Sequence, residues 1–164
     1  WNLFTNAGSL WVAWVNKNVF GRKGFWLTED ACRFSRPIRS LLQLKHVLPD
    51  LLRCEIRNGE SASFWFDSWT ALGPLFNMLG VGGPRQLRLP LGVSVASATM
   101  NGSWRLPPAR SDEATSLQIA LTTIDPPNAS KGPDIYISGE MEAETLCVNS
   151  PLELLITSCD RAFR

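Results

Sequence analysis

The first forty residues contain six basic side chains, Lys or Arg, with the chemistry to bind the phosphates of an anionic partner. From Trp1 to Arg57 the chain carries nine Lys or Arg against four Asp or Glu, whereas the rest carries seven against eleven. A basic first third is typical of a nucleic-acid-binding surface, although a solvated charged face is the more common cause. The candidate nucleic-acid-binding residues are Lys17, Arg22, Lys23, Arg36 and Arg39.

No residue pattern in the sequence is typical of catalysis or of a metal site. The four cysteines are widely separated, and the single His46 lies near no cysteine pair, so we expect reduced structural thiols, no zinc and no cofactor. Asp67 stands between aromatic residues and is expected to cap a turn or lie at the surface rather than bind a metal. We expect His46 to face solvent from a helix. The cysteines are Cys32, Cys54, Cys147 and Cys159.

The element around which the chain is organised is a predicted β-hairpin over residues 51–69. Asn58 and Gly59 stand between two apolar runs, which is the strongest short-range signal for a hairpin. A two-residue loop would pair apolar with polar positions. A three-residue loop sets Cys54 opposite Ala62 and gives Gly59 the left-handed conformation that glycine adopts without strain. The sequence therefore favours the three-residue loop.

Two helices are predicted before the hairpin. The first runs over residues 9–20, with Ser9 as N-cap, and its apolar stripe places Trp11 and Trp14 in the core. Gly21 and Gly24 close it. The second has Pro37 in its first turn and an apolar face of Ile38, Leu41, Leu42 and Leu44, and Pro49 stops or kinks it. Its basic residues Arg36, Arg39 and Lys45 are expected on or beside the exposed side.

The second half of the chain is expected to be less regular. Residues 71–92 contain many Gly and Pro and predict an irregular connector with at most one helical turn, or a linker between two small lobes. Residues 93–100 are ambiguous between helix and strand, and the next pair, Asn101-Gly102, predicts a turn. Ser111 caps a helix that extends to residue 124, and residues 135–137 predict a short strand.

Together these elements predict an α+β fold with much irregular structure. We expect helices and a hairpin in residues 1–70, an irregular connector in 71–110, a helix and a strand in 111–137, and a diverged tail in 138–164. The apolar stretches are too short to cross a membrane. The chain begins with Trp1 and has no secretory leader, so we expect an intracellular piece of a longer protein, in the nucleus or the cytoplasm.

Several short motifs, in a fixed order, resemble one region of a known family. The chain resembles the part of plant non-LTR (LINE-type) retrotransposon polyproteins that follows the reverse-transcriptase domain and leads into the zinc-binding domain. The resemblance covers residues 9–136. Its motifs are residues 9–15 (SLWVAWV), 24–26 (GFW), 41–44 (LLQL), 57–69 (RNGESASFWFDSW), 72–75 (LGPL), 83–85 (GPR), 101–104 (NGSW) and 133–136 (PDIY).

The chain also departs from the family pattern. Ile137 and Ser138 stand where the family has the Leu-Trp pair that opens its zinc-binding module, and the paired cysteines and histidine of that module do not follow. Residues 32–36 replace a Trp-rich lead into the leucine helix. The resemblance therefore implies a diverged or frame-shifted copy with a remnant of that module and no metal site.

The resemblance implies a parent RNA-directed DNA polymerase, but the carboxylates of that chemistry are not in this sequence. Reverse transcription needs a Tyr-x-Asp-Asp turn that holds two metal ions, and the chain contains no Asp-Asp pair. We therefore expect a non-catalytic connector that contacts other parts of the parent polyprotein. Two alternatives remain: an RNA-binding segment that uses the basic first third, or a small interaction protein that docks a partner through exposed Trp65 and Trp69.

Overall fold

Short helices dominate the computed structural model, which describes residues 10–138. The fold is α+β, as predicted. In the described range the helices are α1 (Leu10–Val15), α2 (Gly24–Leu27), α3 (Arg36–Gln43), α4 (Leu48–Leu51), α5 (Leu75–Leu79), α6 (Gly83–Leu87) and α7 (Asp112–Thr122). The strands are β1 (Leu52–Glu55), β2 (Thr99–Met100), β3 (Ser103–Trp104) and β4 (Ile135–Ser138). The predicted N-cap Ser9, the tail from residue 139, Cys147 and Cys159 lie outside the described residues.

The first predicted helix is present, but it buries a different face. α1 continues into a π-helical turn, Asn16–Phe20, and Gly21 ends it at φ 48°. Trp11 and Trp14 are 40% and 57% exposed, so their predicted place in the core is wrong. Val12, Val15 and Phe20 are buried instead. A π-helical turn contains one residue more than an α-helical turn. The side chain that lies on the same face as Val15 is therefore Phe20, five residues later, and not Val19.

The leucine-rich helix is confirmed, with a break before its second proline. α3 has Pro37 in its first turn and buries Ile38 and Leu42. A 3₁₀ turn, Leu44–His46, follows, and Pro49 then lies in the first turn of α4 rather than after the last turn of α3. Proline is tolerated there because the first helical N–H groups have no intrahelical acceptor.

Two groups of buried side chains form the core. The N-terminal cluster lies between α1, α2, α3 and α4, and the central cluster is assembled from residues between β1 and β4. The N-terminal cluster consists of Val15, Phe20, Phe25, Ile38, Leu42 and Leu48. The central cluster consists of Cys54, Ala62, Phe64, Trp65, Trp69, Leu75, Leu87, Val95, Ala98, Leu117, Leu121 and Tyr136.

The hairpin predicted around Asn58-Gly59 is wrong. β1 pairs in antiparallel fashion with β4, which sets Cys54 opposite Tyr136 instead of Ala62. The second predicted strand also has another partner, because residues 62–64 bond to residues 93–95 through two backbone hydrogen bonds of 3.1 and 3.0 Å. Gly59 does adopt the predicted left-handed conformation, with φ 69°. The turn signal was therefore correct about the local backbone and wrong about the strands that it joins.

Residues 71–92 are more ordered than predicted. Two helices, α5 and α6, replace the expected irregular connector, and Leu75 and Leu87 from these helices are buried in the central cluster. The prolines and glycines that suggested a loop mark helix ends instead. Pro84 lies in the first turn of α6, and Gly80 ends α5 at φ 60°.

The last elements follow the sequence closely. Asn101 and Gly102 form the turn between β2 and β3, with φ values of 52° and 73°. The Ser111 side chain accepts a hydrogen bond from the N–H of Ala114 and caps α7. Val95 belongs to a 3₁₀ turn, Val95–Ala98, in the stretch that was ambiguous. Within residues 10–138, no helix is long and apolar enough to cross a membrane.

Candidate functional site

The predicted basic residues are divided between two places. Lys17 and Lys23 are exposed in the turns that follow α1, and the backbone of Arg22 lies in the same 3₁₀ turn as Lys23. Arg36 is exposed at the start of α3. Arg39, one turn later, donates from Nε to Asp30 Oδ1 at 3.0 Å. Among Lys17, Lys23, Arg36 and Arg39, whose side chains the structure describes, Arg39 is therefore the only one with an ion pair to another described residue.

Lys45 is partly exposed, which agrees with a place beside the exposed side of the helix, but its ammonium is not free. Its ammonium donates hydrogen bonds to the carbonyl oxygens of Trp26, at 2.9 Å, and Thr28. It also lies 5.4 Å from the centre of the Phe25 ring. Burial lowers the pKa of Lys45. Because its hydrogen bonds go to carbonyl oxygens at the end of α2, Lys45 stabilises that helix end and does not contribute to a phosphate-binding surface.

Asp134 is the centre of a hydrogen-bond network that shapes residues 57–62. Its carboxylate accepts the backbone N–H groups of Arg57 and Gly59 at 2.8 Å, Ser61 at 3.2 Å and Ala62 at 3.1 Å. The Ser61 hydroxyl donates a fifth hydrogen bond, at 3.0 Å. Burial raises the pKa of Asp134, but the hydrogen bonds from Arg57, Gly59 and Ala62 outweigh burial and hold it below its usual value.

Asp67 is a second buried carboxylate, and it joins the two clusters. It accepts hydrogen bonds from the Ser63 N–H at 2.6 Å, the Trp26 indole N–H at 3.0 Å and the Tyr136 hydroxyl at 3.1 Å. Burial raises its pKa to about 6, although these three hydrogen bonds oppose the rise. The predicted turn-capping role is confirmed by the Ser63 bond. Asp67 is only 5% exposed, however, so the surface alternative is wrong.

The other titratable side chains beside Asp67, those of Cys54 and Tyr136, are buried. Burial raises the pKa of the Cys54 thiol, which keeps it protonated and a poor nucleophile. Burial raises the pKa of Tyr136 as well. Within residues 10–138, no group of three His, Cys, Asp or Glu side chains could hold a metal ion. His46 is exposed, as predicted.

The aromatic residues after Gly59 do not form a docking surface. Trp65 is completely buried and Trp69 is 6% exposed, so the predicted exposed Trp patch is wrong. The indole N–H of Trp65 donates to the carbonyl oxygen of Pro90 at 2.9 Å, and that of Trp69 donates to the carbonyl oxygen of Phe64 at 3.0 Å. These residues are structural because both their rings and their N–H groups are occupied inside the fold.

A cleft of about 270 Å³ opens between the turns after α1 and the loop of residues 60–63. Trp26 and Phe66 form part of its wall, with ring centroids 5.9 Å apart and an interplanar angle of 22°. Lys23 and Asn16 lie on its N-terminal side. Lys23, one of the predicted basic residues, thus lines a concave surface, and sequence reasoning did not predict the cleft.

Comparison of the chain with family models, curated proteins and solved structures gives no match. The chain's own residues and the motif resemblance are therefore what points to a function.

Sequence reasoning also missed the role of Asp134. The backbone groups that it binds lie 72 to 77 residues away in the chain, so no local pattern could indicate them. Its presence in the 133–136 motif was the one available signal.

Proposed function

We propose that this chain is a non-catalytic connector segment of a non-LTR retrotransposon reverse-transcriptase polyprotein, with no activity of its own. The observation that carries the proposal is that three separated motifs hydrogen-bond to one another in the fold. The Trp26 indole, from motif 24–26, and the Tyr136 hydroxyl, from motif 133–136, both donate to Asp67 in motif 57–69. Asp134 in motif 133–136 accepts four backbone N–H groups of motif 57–69.

These contacts support a structural role for the motif residues. Buried polar groups are costly unless they are hydrogen-bonded, and in the described residues every buried side-chain N or O atom has a partner. A carboxylate that binds catalytic metal ions needs oxygen lone pairs directed into an open site. Asp67 and Asp134 direct theirs at protein donors, so a connector function fits these residues better than a catalytic one.

The coding sequence around the chain tests this proposal. Transcript mapping should place a Tyr-x-Asp-Asp block upstream of residue 1, and paired cysteines with a histidine downstream of residue 136, in the same or a shifted frame. A transcript with its own start and stop codons and neither block nearby would contradict the proposal.

RNA binding through the basic first third is a second candidate function. It is favoured by the exposure of Lys17, Lys23 and Arg36, because none of them forms an ion pair within the described residues. Free cations at a surface bind phosphates by releasing counterions, and such binding weakens steeply as salt increases.

Fluorescence anisotropy with a labelled 12-nucleotide RNA, recorded between about 50 and 200 mM salt, measures this binding. Replacing Lys17, Arg22 and Lys23 by alanine should weaken it and flatten its salt dependence. The matched control replaces Arg85, Arg105 and Arg110, which are exposed outside the basic third, and removes the same charge. Equal losses in the two triple variants would indicate nonspecific attraction and contradict the proposed surface.

A further inference from the structure

We propose that the cleft beside Lys23 binds one base of single-stranded RNA, with the Lys23 ammonium on an adjacent phosphate. This inference rests on the second candidate function, RNA binding, and assigns it a site. Sequence analysis singled out Lys23 for its charge alone. The cleft adds a place for the uncharged part of a nucleotide next to that charge.

The size of the cleft limits its occupant. Pockets for drug-sized ligands and cofactors commonly measure about 300–1,000 Å³, so a volume of about 270 Å³ suits a single ring system. A dinucleotide cofactor would not fit. A base attached to a strand would fit, because its ribose and phosphates remain outside in solvent.

The walls have the chemistry of a base-stacking site. Phe25, Trp26 and Phe66 line the cleft, and Leu91 and Val93 contribute aliphatic surface. Trp26 and Phe66 are stacked on each other, and the bond from the Trp26 indole to Asp67 fixes the orientation of that ring. Aromatic walls that are held rigid in this way bind bases with little sequence preference.

Three polar residues that line the cleft have the chemistry to bind a base edge and a phosphate. The Asn16 side chain can donate and accept hydrogen bonds, and Lys23 is a cation. Glu60 offers a carboxylate that can accept from an exocyclic amino group. The lining therefore favours adenine, which carries such a group, over uracil, which does not.

Gly92 provides a way to fill the cleft without breaking the fold. It lines the cleft, and a Cβ atom added to it would lie 3.4 Å from Leu27 Cδ1, an ordinary contact distance. The longer side chain of Gly92→Leu would occupy the space proposed for the base. Gly82→Leu is the matched control, because Gly82 is exposed, has open space around it and does not line the cleft.

The test uses the full chain and two labelled 12-nucleotide probes, oligoadenylate and an abasic ribose-phosphate strand of equal length. Gly92→Leu should weaken oligoadenylate binding about tenfold, the loss expected for one stacked base, and leave abasic binding unchanged. Gly82→Leu should change neither. Lys23→Ala should weaken binding of both probes and lower the salt slope by about 0.7, while Lys131→Ala should not.

The possible results distinguish a failure of the cleft proposal from a failure of RNA binding itself. If Gly92→Leu and Gly82→Leu bind oligoadenylate equally well, the cleft is not the base site, although RNA binding by the basic residues stands. If the natural chain binds neither probe, both proposals fail.

Circular dichroism checks that Gly92→Leu folds. If it does not, photocross-linking of 8-azidoadenosine RNA to the natural chain replaces it: adducts on residues 23–27 or 91–94 support the site, and adducts elsewhere overturn it.

Discussion

The same dipeptide, Asn-Gly, occurs twice in this chain and produces two different structures. Asn101 and Gly102 both have positive φ and join β2 to β3 in a two-residue hairpin. At Asn58-Gly59 only the glycine has positive φ, and the flanking segments pair with other parts of the chain.

The two turns differ in the partners that form hydrogen bonds with the backbone around each Asn-Gly pair. At 101–102 the neighbouring strands pair directly with each other. At 58–59 the backbone N–H groups of Arg57, Gly59, Ser61 and Ala62 bind the Asp134 carboxylate. The carbonyl oxygen of Gly59 accepts from the Ala96 N–H at 2.8 Å. A turn dipeptide therefore sets local dihedral angles, whereas the partners available in the fold decide whether a hairpin forms.

The largest expected loss of stability comes from removing Asp134, the acceptor that is present at Asn58-Gly59 and has no counterpart at Asn101-Gly102. Asp134→Ala leaves four backbone N–H groups without their acceptor. An unpaired buried donor costs about 1–3 kcal/mol, so we expect the free energy of unfolding to fall by at least about 3 kcal/mol in urea denaturation.

The control for this experiment is Asp125→Ala. The Asp125 side chain is 91% exposed and forms only a 3.6 Å pair with Lys131, so the change should stay within about 0.5 kcal/mol. A loss below about 1 kcal/mol for Asp134→Ala would refute the central role of this carboxylate.

A matched pair of glycine substitutions compares the two turns directly. Both glycines have left-handed φ, which costs alanine about 1 kcal/mol. A Cβ at Gly59 would also lie 2.8 Å from both the backbone nitrogen of Ala96 and Cβ of Pro127, whereas a Cβ at Gly102 meets nothing within 4 Å. We expect Gly59→Ala to lose about 3 kcal/mol and Gly102→Ala about 1 kcal/mol in urea denaturation. Equal losses would show that packing does not separate the two turns.

The pH dependence of stability should follow the two buried aspartates, Asp67 and Asp134. The pKa of Asp67 is raised to about 6, so the folded state holds its proton more tightly than the unfolded chain does. Asp67 therefore adds stability as pH falls from about 7 to about 5. Asp134 acts in the opposite direction, because its pKa is lowered and its contribution is lost as pH falls below about 4.

Urea midpoints measured at a series of pH values test this prediction. Subtracting the Asp67→Asn profile from the natural profile should leave a slope between about pH 5 and 7, with stability rising toward the acid side. Asp125→Asn serves as the control and should leave the profile unchanged in that range. A flat difference profile for Asp67→Asn would contradict a raised pKa.

The smallest expected effect is at Asn101. Its φ of 52° suits asparagine better than most side chains, so Asn101→Ala should cost about 0.5–1 kcal/mol. Asn101→Gly should be close to neutral, because glycine adopts left-handed angles without strain. The same urea measurement applies, and equal losses for alanine and glycine would mean that the Asn101 side chain, which both variants lack, stabilises the hairpin rather than its backbone conformation.

The sequence predicted those features whose partners are close in the chain. The Ser111 cap binds an N–H three residues away, the glycines after residue 20 end the first helix, and the Asn101-Gly102 turn joins adjacent strands. These features could be predicted because their hydrogen bonds close within one turn, where residue type limits the backbone directly.

Of the candidate site, the sequence predicted only the charged residues. The exposure of Lys17, Lys23 and Arg36 agrees with their sequence pattern, but the cleft beside Lys23 requires Phe66 and Val93 to be brought against the turns after α1. The amphipathic pattern also assigned Trp14 to the core, and the docking alternative placed Trp65 at the surface, whereas the structure has the opposite. The pattern of apolar residues in the sequence shows which side chains are apolar, but it does not show which part of the fold will cover each of them.

By itself, the sequence determined the mixed α+β class, the caps and turns, and the basic first third. The tertiary structure alone decided that β1 pairs with β4, that Asp134 holds residues 57–62, and that Asp67 joins the two clusters through Trp26 and Tyr136. The physical reason is distance along the chain. Local hydrogen bonds are fixed by a few neighbouring residues, whereas the partners of a strand or a buried carboxylate are chosen by which distant segments pack together as the whole chain buries its apolar surface.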